Sequence, residues 1–204
     1  MTPAELDDDQ LMIEIQSGNQ AAFERLLERH EGSLLGFFIR NTKDHQLAED
    51  LTQETLLRVY HRSWDYLPLG RFRSWMFRIA RNLLIDTVRR QSSDALIRAY
   101  TGQAEDESNS LARLVGEIVS PNEQAQQREL TDIVDELLQQ IPEEQRTTFV
   151  MHHYSGLSLP EVAEATETSV PTCKSRLRLA REKLRGLLAG RGIADAVKRG
   201  DESV

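Results

Sequence analysis

The chain is predicted to be all-α: two small helical domains joined by a flexible acidic linker. Three observations predict it. Apolar residues recur at steps of three and four rather than two. Glycine and proline are scarce inside the periodic stretches. One polar, acidic run, Gln91 to Ser120, separates two such sets. With 204 residues, 39% hydrophobic and 28% charged, small helical units fit better than one large core.

Taken in order, Asp8–Ser17 reads as a short helix ended by Gly18. Asn19 can cap the next, which runs to about Arg40 with Phe23, Leu26, Leu27, Leu34, Leu35, Phe37 and Phe38 as its core candidates. A third helix is expected over Asp44–Ser63. The loop Asp65–Gly70 holds two breakers, Pro68 and Gly70, and a fourth helix follows over Arg71–Arg90. The first domain is thus placed at residues 8–91 and the linker at 92–120, with a short helical turn about Leu111–Val119. Ser120-Pro121-Asn122-Glu123 is a capping box with proline at the first helical position. It opens a second domain, 121–189, with helices at about 122–140, 143–154, 158–166 and 170–189. The tail 190–204 has too few apolar residues to assign.

Composition excludes several classes. The only cysteine, Cys173, allows neither an intrachain disulfide nor a thiolate cluster, and it falls on the apolar face of the last helix, where a small buried hydrophobe is expected. His152 and His153 are adjacent on a helix and so face different ways, which is not metal-ligand spacing. The start, MTPAELDDDQ, is unlike a signal peptide, and no apolar run approaches bilayer length. A soluble, cytoplasmic protein without membrane insertion, metal or cofactor is expected.

The net charge of −8 is unevenly spread. Residues 71–90 carry six arginines against one aspartate, and residues 172–191 carry seven basic side chains against one glutamate. Those islands of +5 and +6 leave −19 for the remainder. Phosphate contact depends on local positive charge, while an acidic remainder suppresses indiscriminate binding. Two DNA contacts with weak affinity of the free protein are expected.

Leu157–Leu188 reads as two helices around a short polar turn, with Ser158 and Ser169 as caps and Pro160 and Pro171 in the opening turns. Val170, Cys173, Leu177, Ala180, Leu184 and Leu188 share an apolar face, opposite Pro171, Thr172, Lys174, Ser175, Arg178 and Arg185. A basic, hydroxyl-bearing helix after a tight turn is what a helix-turn-helix protein places in the DNA major groove. An ordinary surface helix with a solvated charge stripe is the alternative. Within the DNA reading, Thr172, Lys174, Ser175 and Arg178 are placed to reach base edges and Arg176 to reach phosphate.

Two further faces stand out. In the fourth helix Met76, Ala80, Leu83, Leu84 and Thr87 mark the buried side, while Trp75, Arg78, Asn82, Asp86 and Arg89 line up on another. Aromatic, guanidinium and amide groups together suit stacking on, and reading of, unpaired bases. Alternatively Trp75 plugs a seam beside Phe72 and Ile79. The Asp65–Gly70 loop before this face is a weaker candidate for holding an extruded base. In the third helix Leu47, Ala48, Leu51, Thr55, Leu56 and Val59 cover one side, and Asp50, Gln53, Glu54, Leu57 and His61 the other. A leucine set among carboxylates suits a protein partner, against the plainer reading of a solvated face. Asp50 and Glu54 stand one turn apart but lack further ligands for a metal.

The succession AEDLTQETLLRVY (48–60), FRSWMFRIARNLLID (72–86), SPNEQ (120–124) and IPEEQRTTFVMHHYSGLSLPEVAEATETSVPTCKSRLRLAREKL (141–184) resembles the extracytoplasmic-function (ECF) sigma factors of the sigma-70 superfamily. The resemblance spans about residues 8–188. It implies a transcription initiation factor, not an enzyme: a subunit that binds bacterial core RNA polymerase and directs it to promoters by their −10 and −35 elements. It implies that Asp50, Gln53, Glu54 and Leu57 dock on the clamp helices of the largest polymerase subunit. It assigns Trp75, Arg78, Asn82 and Arg89 to the −10 element, and Thr172, Lys174, Ser175, Arg176 and Arg178 to the −35 element. An anti-sigma factor is a further partner implied by the resemblance alone.

The chain departs from the family pattern in its helix-turn-helix, with Thr166 and Glu167 in the turn, Pro171 in place of a common glycine and Cys173 in place of a common valine. A positive φ at Glu167 would cost roughly 1 kcal/mol. The loop DYLPLGR (65–71) is also unusual. Two other functions fit parts of the sequence: a stand-alone helix-turn-helix regulator, and a nuclease using Asp50 and Glu54. The first needs a sensing pocket or dimer face, and the second needs a third ligand.

Overall fold

The computed structural model describes residues 6–101 and 133–191, and every regular element among them is helical. Helix α1 spans Asp8–Gln16, α2 Gln20–Thr42 and α3 His45–His61; a 3₁₀ turn follows at Ser63–Asp65, then α4 over Phe72–Thr101. In the second half lie α5 (residues 133–138), α6 (Glu143–His153), α7 (Leu159–Ala165) and α8 (Val170–Gly190).

Side-chain caps set these boundaries. Asp7 and Gln10 form a reciprocal capping box at α1, Asn19 accepts from the Ala21 N–H at α2, and Asp44 accepts from the Leu47 N–H at α3. Ser158 and Glu161 make the same box at α7, and Ser169 caps α8. Lys43 ends α2 in the left-handed conformation (φ 59°). Helix α4 continues through residues 92–101, assigned above to the linker. No glycine or proline intervenes before Gly102, and Ala95, Leu96 and Ala99 favour helix. The turn expected at Leu111–Val119, the 120–123 capping box and the tail from residue 192 lie outside the described residues.

The buried faces follow the periodicity. Leu26, Leu34, Phe37 and Phe38 of α2 are fully buried, whereas Phe23, Leu27 and Leu35 pack at its margin. Phe37 meets Phe77 of α4 edge-on, with centroids 5.5 Å apart. Cys173 is buried, with its sulfur 3.3 Å from the Thr168 hydroxyl.

The two halves share one continuous core. Arg40 of α2 joins Asp135 of the second half (Nε–Oδ1 3.0 Å) and lies 3.9 Å above the Tyr154 ring. The Gln139 amide donates to the Arg40 carbonyl at 2.7 Å, and the Thr147 hydroxyl donates to Asn41 Oδ1 at 3.1 Å. On α4, Arg73 donates to the carbonyls of Ser155 and Gly156, and the Ser74 hydroxyl donates to Glu164 at 2.8 Å.

Between α6 and α8, Arg181 donates to His153 Nε2 from two nitrogens, at 3.1 and 3.3 Å, so the imidazole is held neutral. Burial, then the Arg181 and His152 charges, push its pKa down from 6.5 to about 4. The unfolded chain therefore takes up a proton that the folded chain refuses. The stability this site contributes is full above about pH 6.5 and falls as pH drops toward 4. Melting temperature should fall more steeply between pH 7 and pH 5 in the native chain than in His153→Gln, and parallel profiles would contradict this account.

Candidate nucleic-acid and polymerase interfaces

Three surfaces predicted from sequence can be located on this frame. On α4, Asn82, Asp86 and Arg89 are exposed and Arg78 is half-buried. Trp75 is half-buried too, its ring 5.0 Å from Tyr66 and 6.1 Å from Phe72, so much of its area fills a seam between α4 and the preceding loop. The seam reading of Trp75 thus holds for the packed part of the ring. The face of α4 that meets α7, marked by Ser74, lies beside the Asn82–Arg89 face and leaves both of those residues open.

On α3, Ala48, Leu51, Thr55, Leu56 and Val59 are buried, while Asp50, Gln53 and Leu57 point outward, Leu57 with 51% of its surface exposed. Glu54 pairs with Arg58 one turn on, at 2.7 Å. Two further large side chains are exposed beyond the expected residues: Tyr60, 4.9 Å from the Phe23 ring, and Trp64 in the 3₁₀ turn, 74% exposed.

On α8, Lys174, Ser175 and Arg178 are exposed, and Arg178 bonds Glu182 one turn on at 2.7 Å. The Thr172 hydroxyl is engaged with the capping Ser169 hydroxyl at 2.8 Å. Arg176 is turned toward α6, where it pairs with Glu144 at 2.5 Å with 17% of its side chain exposed. That partner, 32 residues away, has no local signature. Leu159, Lys174, Leu177, Arg178, Arg181, Glu182 and Arg185 border an open groove beside α8, with four basic side chains against one carboxylate.

The turn before α8 holds Glu167 at φ +54°, the left-handed region anticipated there. It lets the Thr168 N–H reach the Ala163 carbonyl at 2.9 Å and closes α7. Glu167→Gly should therefore stabilise the protein by about 0.5 kcal/mol at most, the left-handed strain of roughly 1 kcal/mol relieved less the entropy glycine adds to the unfolded chain. Thermal melting reads this directly, and a lowered midpoint would contradict it.

A helix-turn-helix with an outward basic face, joined to a helical half bearing a second basic face and a carboxylate-leucine face, defines a helical DNA-binding protein with room for a protein partner. Comparison with known proteins gives the family. Residues 26–94 match Sigma-70 region 2 and residues 131–184 match Sigma-70 region 4. The chain is 30% identical over 177 residues to the RNA polymerase sigma factor CarQ of Myxococcus xanthus, covering 87% of this chain and 95% of that one. It is 29% identical to the RNA polymerase sigma-H factor of Pseudomonas aeruginosa, covering 87% and 91%. Among solved structures, CnrH in complex with the cytosolic domain of CnrY superposes with a TM-score of 0.66 at 26% identity, covering 90% and 97%. The chain belongs to the sigma-70 family, as an ECF RNA polymerase sigma factor. It is a transcription initiation factor, a partner of core RNA polymerase and promoter DNA.

Proposed function

We propose that three separate faces divide this work. The outward side of α3, with Asp50, Gln53, Glu54 and Leu57, docks on the clamp helices of the largest polymerase subunit. The Trp75–Arg78–Asn82–Arg89 side of α4 takes the −10 element and stabilises its opened strand. The outer side of α8, with Lys174, Ser175 and Arg178, reads the −35 element in the major groove, Thr172 and Arg176 standing at its edge. The observation that carries this reading is that the α4 and α8 faces combine local positive charge with exposed amide and hydroxyl groups, on a chain whose remainder is acidic. The factor makes and breaks no bond; the polymerase supplies the chemistry. It works where the polymerase works, in the cytoplasm, and no helix among the described residues is long and apolar enough to cross a membrane. An anti-sigma factor is its proposed regulator, and CnrH is a similar chain solved with a protein partner.

The α3 assignment is tested by core-polymerase affinity. Leu57 is exposed, so Leu57→Ala should leave folding unchanged. It should weaken core binding about five- to tenfold if the leucine is covered on docking. Unchanged affinity would remove Leu57 from the interface.

A further inference from the structure

The loop between the 3₁₀ turn and α4 is apolar, outward and tied down. A three-residue turn over Pro68, closed by the Leu69 N–H on the Leu67 carbonyl at 2.9 Å, leaves Leu67 and Leu69 68% and 66% exposed. Gly70, at φ +71°, then redirects the chain into α4. Leucines this exposed do not hold a loop in place, so its order comes from elsewhere.

It comes from α1. Asp9 accepts from the Tyr66 hydroxyl with one carboxylate oxygen and from the Gly70 N–H with the other, at 2.6 Å. The Gln16 amide, two turns along, donates to the carbonyls of Ser63 and Tyr66 at 2.7 and 2.9 Å. Four hydrogen bonds to one nine-residue helix thus hold the chain at Ser63, Tyr66 and Gly70, on both sides of the Leu67–Leu69 turn. The Tyr66 ring then meets Phe72 edge-on and lies tilted against Trp75, so the grip passes directly to the side of α4 proposed to open the strands. Burial and the Asp9 carboxylate raise the Tyr66 pKa, keeping the hydroxyl protonated as a donor.

We propose that Asp9, assisted by Gln16, is a positioning residue for promoter opening: it fixes the Leu67–Gly70 loop and the Trp75 ring in the one arrangement that accepts an extruded non-template base. The inference rests on the assignment of α4 to the −10 element. A loop free to move would still present two leucines and a tryptophan, but with no fixed shape to prefer one base over another.

The test uses the full-length protein bound to core polymerase. Fork-junction probes carry each of the four bases at every unpaired position of the non-template strand, and binding is read beside core affinity and thermal stability. Asp9→Ala should reduce the preference for the favoured base at one position about tenfold, with core affinity held within about twofold. Asp9→Asn, which keeps an acceptor for Tyr66, should recover part of that preference. Tyr66→Phe keeps the ring and removes only the hydroxyl, so it tests the same link even where Asp9→Ala folds poorly, and it too should lower preference at that position. Unchanged base preference in Asp9→Ala and Tyr66→Phe overturns the proposal, as does an equal loss at every position. If the native protein itself shows no base preference in the unpaired strand, the assignment of α4 fails instead.

Discussion

Replacing Asn82 with alanine is expected to reduce promoter opening by the polymerase-bound protein about tenfold to a hundredfold, the range set by losing an amide that pairs with a base edge. The substitution is clean because Asn82 is exposed in mid-helix, where alanine is the better helix former. Melting temperature should hold or rise while opening falls, so a folding defect cannot mimic the result. Arg89, equally exposed, is a phosphate partner on this account. Arg89→Ala should weaken binding to all promoters alike and reduce the slope of log affinity against log salt by about one. Permanganate reactivity of unpaired thymines reports opening, and filter binding across salt reports the slope. If Asn82→Ala opens promoters at the native rate, α4 reads DNA with another face.

The second large effect concerns the packed halves. Elements named −10 and −35 lie roughly 25 base pairs apart, about 85 Å along B-form DNA. Helix α8 has 21 residues, about 32 Å, and α7 touches both α8 and α4. On the proposed assignment of α4 and α8 this arrangement is too short to reach both elements at once, and the halves are expected to separate on a promoter. Arg40 ties the halves by two contacts, paired with Asp135 and stacked on Tyr154, and is only 18% exposed. Its removal leaves the Tyr154 ring without its cation and Asp135 without this partner, and Arg40→Ala should destabilise the packed form by about 2–3 kcal/mol. Two readouts should then move in opposite directions. The free protein should melt lower and show a larger radius of gyration by small-angle scattering. Its apparent affinity for core polymerase should rise, because less free energy is needed to reach the open form. A lower melting temperature with unchanged or weaker polymerase binding would mean that the packed form is not in competition with assembly.

Most of what is local in this fold was legible in the sequence. Asn19, Ser158 and Ser169 announce their helices because a cap is read within three residues. The buried faces of α2 and α3 follow from spacing, and the strain at Glu167 follows from a turn that needs a left-handed residue where no glycine stands. Helix α4 outran its expected end at Arg90 because the polar run beginning at Gln91 looks like linker by composition, although helix propensity persists to Thr101. What could not be read is what pairs at long range. Arg40 with Asp135, Arg73 with the Ser155 carbonyl and Asp9 with Tyr66 are separated by 95, 82 and 57 residues. Their charges look solvated in sequence because nothing nearby answers them. Arg176 shows the consequence: its helical position suggested phosphate, while its actual neighbour is Glu144.

Promoter direction by this protein is read out by transcription in vitro, with bacterial core polymerase on a promoter library in the presence and absence of the protein. Start sites should appear only with the protein and share one pair of upstream motifs, with the −35 motif losing definition at one position in Arg178→Ala. Core polymerase from the source organism that neither binds the protein nor initiates with it would contradict a role in promoter recognition.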